Sequence, residues 1–198
     1  MSKSDPASAK KGKNKTIGWI ITIFITTILI SGIISFASAE LLSGSSIAVA
    51  FLILLVIIFI GIVFDVIGVA VTSADERPFH SMAARKVPGA VESLRLLRRA
   101  ERVSSICNDV IGDICGVVSG SASATIAAQV LQMGDFSWPK IVTLIMSALV
   151  AGLTVGGKAI GKTFAIGSCT KIVSGVGRVI WAMHHIGDIF HRKKTDRL

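Results

Sequence analysis

The sequence predicts an all-α integral membrane protein with four transmembrane helices and additional cytoplasmic amphipathic helices. Apolar residues make up 52% of the 198 residues, charged residues make up 17%, and the mean hydropathy is +0.72. Soluble domains typically carry about 25% charged residues. Two apolar runs, Ile17–Phe36 and Ile47–Val71, are each long enough to cross a bilayer as a helix. Two weaker candidates follow at Val103–Leu131 and Ile141–Thr163.

The Lys and Arg residues are sorted to one side of these four segments. Five precede the first segment, seven lie in residues 77–102, eight lie in residues 158–197, and only Lys140 falls on the opposite side. Because cytoplasmic loops collect Lys and Arg, this sorting predicts a multi-pass protein of the cell membrane with both termini in the cytoplasm. Topology and anionic lipid head groups account for the net charge of +9, so we expect membrane lipids as partners and no nucleic acid.

The N-terminal part divides into a polar tail and two spans. Residues 1–16 are rich in Lys, Ser and Ala and are expected to form a disordered basic cytoplasmic tail. Residues 17–39 form the first transmembrane helix or a signal anchor. Ala37-Ser38-Ala39 resembles a signal-peptide cleavage site, but the preceding apolar stretch exceeds the usual signal core of about 7–15 residues. The second span ends near residue 72 and places one carboxylate, Asp65, in apolar surroundings.

Residues 75–102 are expected to form a cytoplasmic helical insert. Pro88 suits the first turn of a helix. Apolar and basic residues then occupy different faces of that helix, which predicts either a helix on the membrane surface or one packed under the bundle. The apolar face carries Val91, Leu94 and Leu97, and the basic faces carry Arg95, Arg98, Arg99 and Arg102.

Small residues repeat every four positions along the third span. Gly112, Gly116, Gly120 and Ala124 form a stripe that allows another helix to approach closely, in the centre of a bundle or in a homodimer. After the fourth span, residues 168–191 show the apolar spacing of an amphipathic juxtamembrane helix, and a basic tail follows at 192–198.

Four polar residues are candidate ligands for a metal ion. Charged groups inside a membrane cost about 2.5–3.5 kcal/mol each on insertion scales and often mark a function. Asp109 and Asp113 are four residues apart on one helix, beside Asn108, and Asp65 approaches them if the second and third spans pack together. Oxygen ligands of this kind suit Mg²⁺ or another divalent cation. The alternative is that these carboxylates form ion pairs with Lys158 or Lys162.

An enzyme and a nucleotide-binding protein are both disfavoured. Gly156–Thr163 matches the GxxxxGK[ST] pattern, but that pattern binds phosphate only in a loop between a strand and a helix. The preceding run here has membrane length instead. The spacing of the side chains suggests no nucleophile and base pair.

Two motifs resemble the transmembrane domain of the CNNM/CorB–CorC family of magnesium transporters. Val110–Gly120, with its repeated glycines, is similar to the family's second membrane helix, and Gly157–Lys162 is similar to its Gly-Glu-x-x-Pro-Lys motif. The resemblance covers residues 47–190 and makes residues 17–39 an addition to a three-span core. It implies a dimer with a Mg²⁺ site in an inward-facing cavity, here without the family's CBS domains.

Two departures from the family motif leave the function open. Lys158 replaces the motif's Glu and Gly161 replaces its Pro, so a positive charge stands where the family is implied to handle metal. We expect a divalent-cation transporter that uses the remaining oxygens. The alternatives are a non-transporting scaffold or partner subunit whose site Lys158 neutralises, and a signalling protein whose basic insert and tail bind anionic lipid or an acidic partner.

Overall fold

The computed structural model describes the backbone of residues 6–134 and 138–195, with side chains described except at 6–16, 43 and 186–195. Within these ranges every regular element is helical, which confirms the predicted all-α class. The elements are α1 (Pro6–Ser43), α2 (Ile47–Ser73), α3 (Arg77–Ala84), α4 (Ala90–Leu97), α5 (Ala100–Ser105), a π-helical segment (Ile106–Gly112), α6 (Asp113–Gln132), α7 (Pro139–Gly167) and α8 (Cys169–Thr195).

Four helical stretches are long and apolar enough to cross a membrane, as predicted. They are Ile17–Leu42, Ile47–Ser73, Ala100–Gln132 and Pro139–Gly167. The loop at 44–46, the end of α6 with Met133 and Gly134, and the start of α7 lie at one end of the bundle, here termed the loop end. The opposite end, termed the basic end, contains Ser73, Ala100 and Gly167 and adjoins α3, α4 and α8.

Helices α2, α6 and α7 form the centre of the bundle around two apolar cores. The core near the loop end consists of Leu42, Ala50, Leu54, Ile58, Ala122, Ile126 and Val150. The core at the basic end consists of Ala70, Val71, Phe79, Leu94, Leu97, Ala165 and Val173. Along α2, Asp65 falls between these two cores, so both flanks of the carboxylate are apolar.

Helix α1 packs on the outside of this bundle, against α6. Ile23 contacts the buried cluster of Val110, Ile114 and Val118. At the loop end the Gln129 side-chain amide donates a hydrogen bond of 2.7 Å to the carbonyl of Leu42. Near the other end the Arg102 guanidinium lies 5.5 Å from the centre of the Trp19 ring, a cation–π contact. Apart from Leu42, which belongs to the core near the loop end, α1 is peripheral to the α2–α6–α7 bundle.

The structure differs from the expected disordered tail at residues 6–16, because α1 begins at Pro6. The helix continues from the first span into a segment rich in Ala and Lys, which both favour helix formation. The rest of that tail, residues 1–5, lies outside the described residues, as does the end of the basic tail at 196–198.

The insert consists of two short helices, α3 and α4, rather than one long amphipathic helix, and α5 already begins the third membrane-length stretch. Helix α4 ends at Leu97, and Leu94 and Leu97 are buried against the basic-end core. The insert therefore packs under the bundle, one of the two predicted arrangements. Pro88 does not lie in the first turn of α4 as expected. It precedes Gly89, which has φ +83° and turns the chain into the helix.

Direct backbone contact joins α4 to α8. The Ser93 hydroxyl, fully buried, lies 2.9 Å from the carbonyl of Gly89 and 3.1 Å from that of Val173, and both accept from it. A Cβ added at Gly177 would lie 2.5 Å from the Gly89 carbonyl oxygen and would overlap the Ser93 hydroxyl. Only glycine at position 177 allows this approach.

We expect Gly177→Ala to destabilise the protein by about 1–3 kcal/mol, because the new methyl group overpacks the α4–α8 contact. Thermal unfolding of the detergent-purified protein measures the effect. Gly175→Ala is the matched control on the same helix, since no atom of the described residues lies within 4 Å of its added Cβ. Equal stability of the two variants would contradict this account of the contact.

Candidate functional site

The bundle contains a charged cluster of Asp65, Asp113, Lys158 and Lys162, contributed by α2, α6 and α7. The Lys158 ammonium lies 4.0 Å from Asp65 Oδ1 and 3.9 Å from Asp113 Oδ1. The Lys162 ammonium lies 3.7 Å from Asp65 Oδ2. Two carboxylates and two ammonium groups give this cluster a formal charge of zero.

Asp65 is the buried centre of the cluster. The residue is 3% exposed, while Asp113 is 69% exposed and Lys158 is 21% exposed at the side chain. Asp65 lies eight residues before the end of α2, which places it about 12 Å from the basic end. A carboxylate at this depth requires compensating charge, and the two lysines of α7 provide it.

Lys158 reaches Asp65 across a glycine. Its ammonium also donates a hydrogen bond of 3.2 Å to the carbonyl of Gly112. A Cβ at Gly112 would lie 3.3 Å from the Lys158 nitrogen and 3.7 Å from Asp65 Oδ1. Gly112 ends the π-helical segment, an irregularity that often occurs at functional sites. The missing side chain therefore leaves room for the ammonium beside Asp65.

Other glycines bring the three helices close enough to form the cluster. An added Cβ at Gly61 would lie 2.8 Å from Cys115 Cβ, which shows how closely α2 approaches α6. On α7, Gly157 and Gly161 pack against the side chains of Ile62 and Val66 in the same way. Without a hydrophobic driving force between helices in lipid, such close packing is a main source of helix association.

The predicted ligands do not all converge. Asp65 and Asp113 share Lys158, but Asp109 is exposed on the π-helical segment. Asn108 packs over Gly68, and its amide nitrogen donates to the Ser104 hydroxyl at 3.2 Å. The buried Asn108 Oδ1 has no hydrogen-bond partner among the described residues. Lys158 and Lys162 are both placed against carboxylates.

The structure brings no metal-binding cluster together within the described residues. No group of three or more His, Cys, Asp or Glu side chains there is arranged to hold a metal ion. Gly156–Thr163 is helical, in the interior of α7, and lacks the strand–loop–helix arrangement of a phosphate-binding loop. His185 stacks on Trp181 with ring centres 4.6 Å apart.

A cavity of about 530 Å³ adjoins the cluster between α6 and α7. It extends from Lys158 and Asp113 along Gly116 and Gly120 toward the loop end. Four hydroxyl-bearing residues line it: Ser119, Ser123, Ser147 and Thr154. The small-residue stripe predicts that Gly116 and Gly120 meet another helix, in the bundle or in a homodimer. Within the described part of this single chain, no atom lies within 4 Å of a Cβ added at either.

Comparisons with models of protein families, with characterised proteins and with solved structures found no match for this chain.

Replacing Asp65 with Asn should destabilise the protein by about 1–3 kcal/mol, since Lys158 and Lys162 lose their buried carboxylate and the buried amide gains no equivalent partner. The control is Asp109→Asn, at an exposed carboxylate that has no ion pair among the described residues, for which we expect a change within about 0.5 kcal/mol. Thermal unfolding in detergent distinguishes the two. Similar stabilities would show that the cluster does not support the fold.

Gly61→Ala should cost about 1–3 kcal/mol, because the methyl group meets Cys115 Cβ and forces α2 away from α6. Gly116→Ala, on the cavity side of α6, is the control with open space around it. The same unfolding measurement applies, and a larger loss for Gly116→Ala would refute the packing argument.

Proposed function

We propose that this protein binds a divalent cation and translocates it across the membrane, with Asp65 and Asp113 as the cation-binding carboxylates. Lys158 serves as a tethered cation that occupies the site in the state described here. The observation that carries the proposal is the convergence of three oxygen atoms on the Lys158 ammonium, from Asp65, Asp113 and the carbonyl of Gly112.

Carboxylate and carbonyl oxygens around one positive charge are also the ligands that Mg²⁺ and Ca²⁺ prefer. An ammonium group is a compact point charge on a flexible stem, so it is able to leave such a site without a change in the backbone. The resemblance to the CNNM/CorB–CorC family is the ground for Mg²⁺ as the cation. Lys158 departs from that family's Glu and so puts an ammonium group where the family is implied to handle metal.

Charge balance requires the incoming cation and Lys158 to compete. The cluster is formally neutral with both lysines in place, and a divalent cation added to it would leave two uncompensated positive charges beside apolar cores. Such charges are costly within a bilayer. The Lys158 ammonium therefore withdraws toward the adjoining cavity as the cation reaches Asp65 and Asp113. Lys162 remains with Asp65 and limits the charge of the cation that binds there.

The charge sorting supports an orientation for this process. With 20 of the 21 Lys and Arg on one side, the basic end faces the cytoplasm and both termini are cytoplasmic. Asp65 then lies in the cytoplasmic half of the membrane. A homodimer, as the family resemblance implies, is part of the proposal.

A second candidate function is a non-transporting partner subunit. The absence of a metal-binding group of three or more His, Cys, Asp or Glu among the described residues favours it. In that case Lys158 and Lys162 are permanent counter-ions of Asp65, and the cluster serves only to join α2 to α7.

Titration with MgCl₂, at constant ionic strength, tests the cation site. We expect millimolar Mg²⁺ to raise the thermal unfolding temperature, because a ligand that prefers the folded state stabilises it. Lys158→Met removes the competing ammonium and should tighten Mg²⁺ binding about tenfold, equivalent to about 1.4 kcal/mol. Asp113→Ala should weaken the response.

Lys140→Met is the matched control, since Lys140 lies at the loop end of the same helix and outside the cluster. Its Mg²⁺ response should equal that of the unmodified protein. If neither the unmodified protein nor Lys158→Met responds to Mg²⁺, the partner-subunit function is supported and the cation proposal fails.

A further inference from the structure

We propose that two connected cavities along α7 form a water-filled half-channel from the loop end to the charged cluster. The identity of the solute that moves along this path rests on the proposed function, but the existence of the path does not. The path itself is an inference from the shape and chemistry of the cavities.

The two cavities share a wall residue and together follow most of α7. The first, of about 530 Å³, runs from Lys158 to Ser147. The second, of about 480 Å³, is lined by Ser147 and continues past Thr143 and Leu144 to Lys140 and Pro139 at the loop end. Lys140 and Lys158 are 18 residues apart on one helix, which corresponds to about 27 Å. This approaches the thickness of the hydrocarbon core, about 30 Å.

Hydroxyl groups occur at intervals along a path whose lining is otherwise mostly apolar. Hydroxyl groups of Thr143, Ser147, Ser123, Thr154 and Ser119 follow one another from the loop end toward Lys158 and Asp113. Thr154 and Ser119 donate their protons to backbone carbonyls of their own helices, which leaves their oxygen lone pairs available as acceptors.

Ser123 gives independent evidence for a polar occupant. The residue is 1% exposed and lines the first cavity, yet its hydroxyl has no hydrogen-bond partner among the described residues. A buried hydroxyl without a partner costs free energy, and buried polar groups in such cavities are commonly satisfied by water. The hydroxyl lies just beneath the cavity surface, and a water molecule admitted there would satisfy it, whereas a lipid chain or an apolar helix face would not.

The path is closed beyond the cluster. Ala70, Val71, Ala165 and Val173 pack together in the basic-end core, and each is fully buried. Water that enters from the loop end therefore reaches Asp113 and Lys158 and meets tight apolar packing between α2, α7 and α8. We infer an open outer path and an inner barrier at the level of Ala70 and Val71, five and six residues beyond Asp65 on α2.

Cysteine accessibility in sealed membrane vesicles tests the path. Cys107, Cys115 and Cys169 are first replaced by Ala, and single cysteines are then placed at Ser123 or Thr154. The probe is a membrane-impermeant trimethylammonium methanethiosulfonate, applied to one side at a time. Lys140→Cys and Arg85→Cys report the loop end and the basic end, so the test does not depend on the orientation of the protein.

We expect Thr154→Cys to react readily from the side that modifies Lys140→Cys, and Ser123→Cys, at a position only 1% exposed, to react more slowly from the same side. The matched control is Leu153→Cys, next to Thr154 but exposed on a different face of α7, against Leu55 and Ile62. It should react at least about tenfold more slowly, because the reactive thiolate forms in water and not in lipid. Thr154→Cys keeps the test valid if the buried Ser123 variant does not fold.

Three outcomes would overturn the half-channel. If Thr154→Cys reacts as slowly as Leu153→Cys, lipid or a second copy of the chain fills the groove. Reaction only from the side of Arg85→Cys would place the opening at the basic end. Equal reaction from both sides would show that the inner barrier is absent. Labelling without any Mg²⁺ response would instead leave the half-channel standing and refute the cation proposal.

Discussion

A buried carboxylate in an apolar helix sets the main constraint on this fold. Asp65 is nearly inaccessible and has apolar cores on both sides along α2, so its charge is tolerable only if positive groups reach it. Lys158 and Lys162, one turn apart on α7, satisfy this requirement from one direction. The relative position of α2 and α7 is thereby fixed at the depth of Asp65.

The glycines of the bundle meet a second requirement, which is a short distance between the backbones of neighbouring helices. A lysine side chain reaches a carboxylate on a neighbouring helix only if the two backbones lie close together. Gly157 and Gly161 allow this between α7 and α2, and Gly61 allows it between α2 and α6. At Gly112 the lack of a side chain keeps the Lys158 ammonium uncrowded, since an added Cβ would lie 3.3 Å from its nitrogen. Charge and small residues therefore act together, and neither would form the cluster alone.

Hydropathy and charge sorting were sufficient to predict the four spans and the helical class, because a helix that crosses a bilayer needs about twenty apolar residues regardless of its neighbours. The same reasoning identified Asp65, Asn108, Asp109 and Asp113 as polar residues that require explanation, with Lys158 and Lys162 as alternative ion-pair partners. It offered two arrangements, metal ligation and ion pairing. The structure places the lysines against the carboxylates and leaves Asp109 exposed.

Features that depend on packing between helices were not predictable in this way. The stripe of Gly116 and Gly120 was expected to contact another helix, but a stripe alone does not specify which glycines meet a neighbour, and here Gly61, Gly157 and Gly161 do so. The π-helical segment and the unpartnered hydroxyl of Ser123 likewise have no signature in the order of residues. The break of the insert after Leu97 depends on its contact with α8.

The contact between Gly89 and Gly177 has a mechanical consequence. Because no side chain separates the two backbones, α4 and α8 have little freedom to slide past each other. We expect the two helices to move together as one unit. Val173 of α8 packs beside Ala70 and Val71 near the end of α2, only a few residues from Asp65. A pull on the C-terminal helix is thus transmitted to the segment that carries the buried carboxylate.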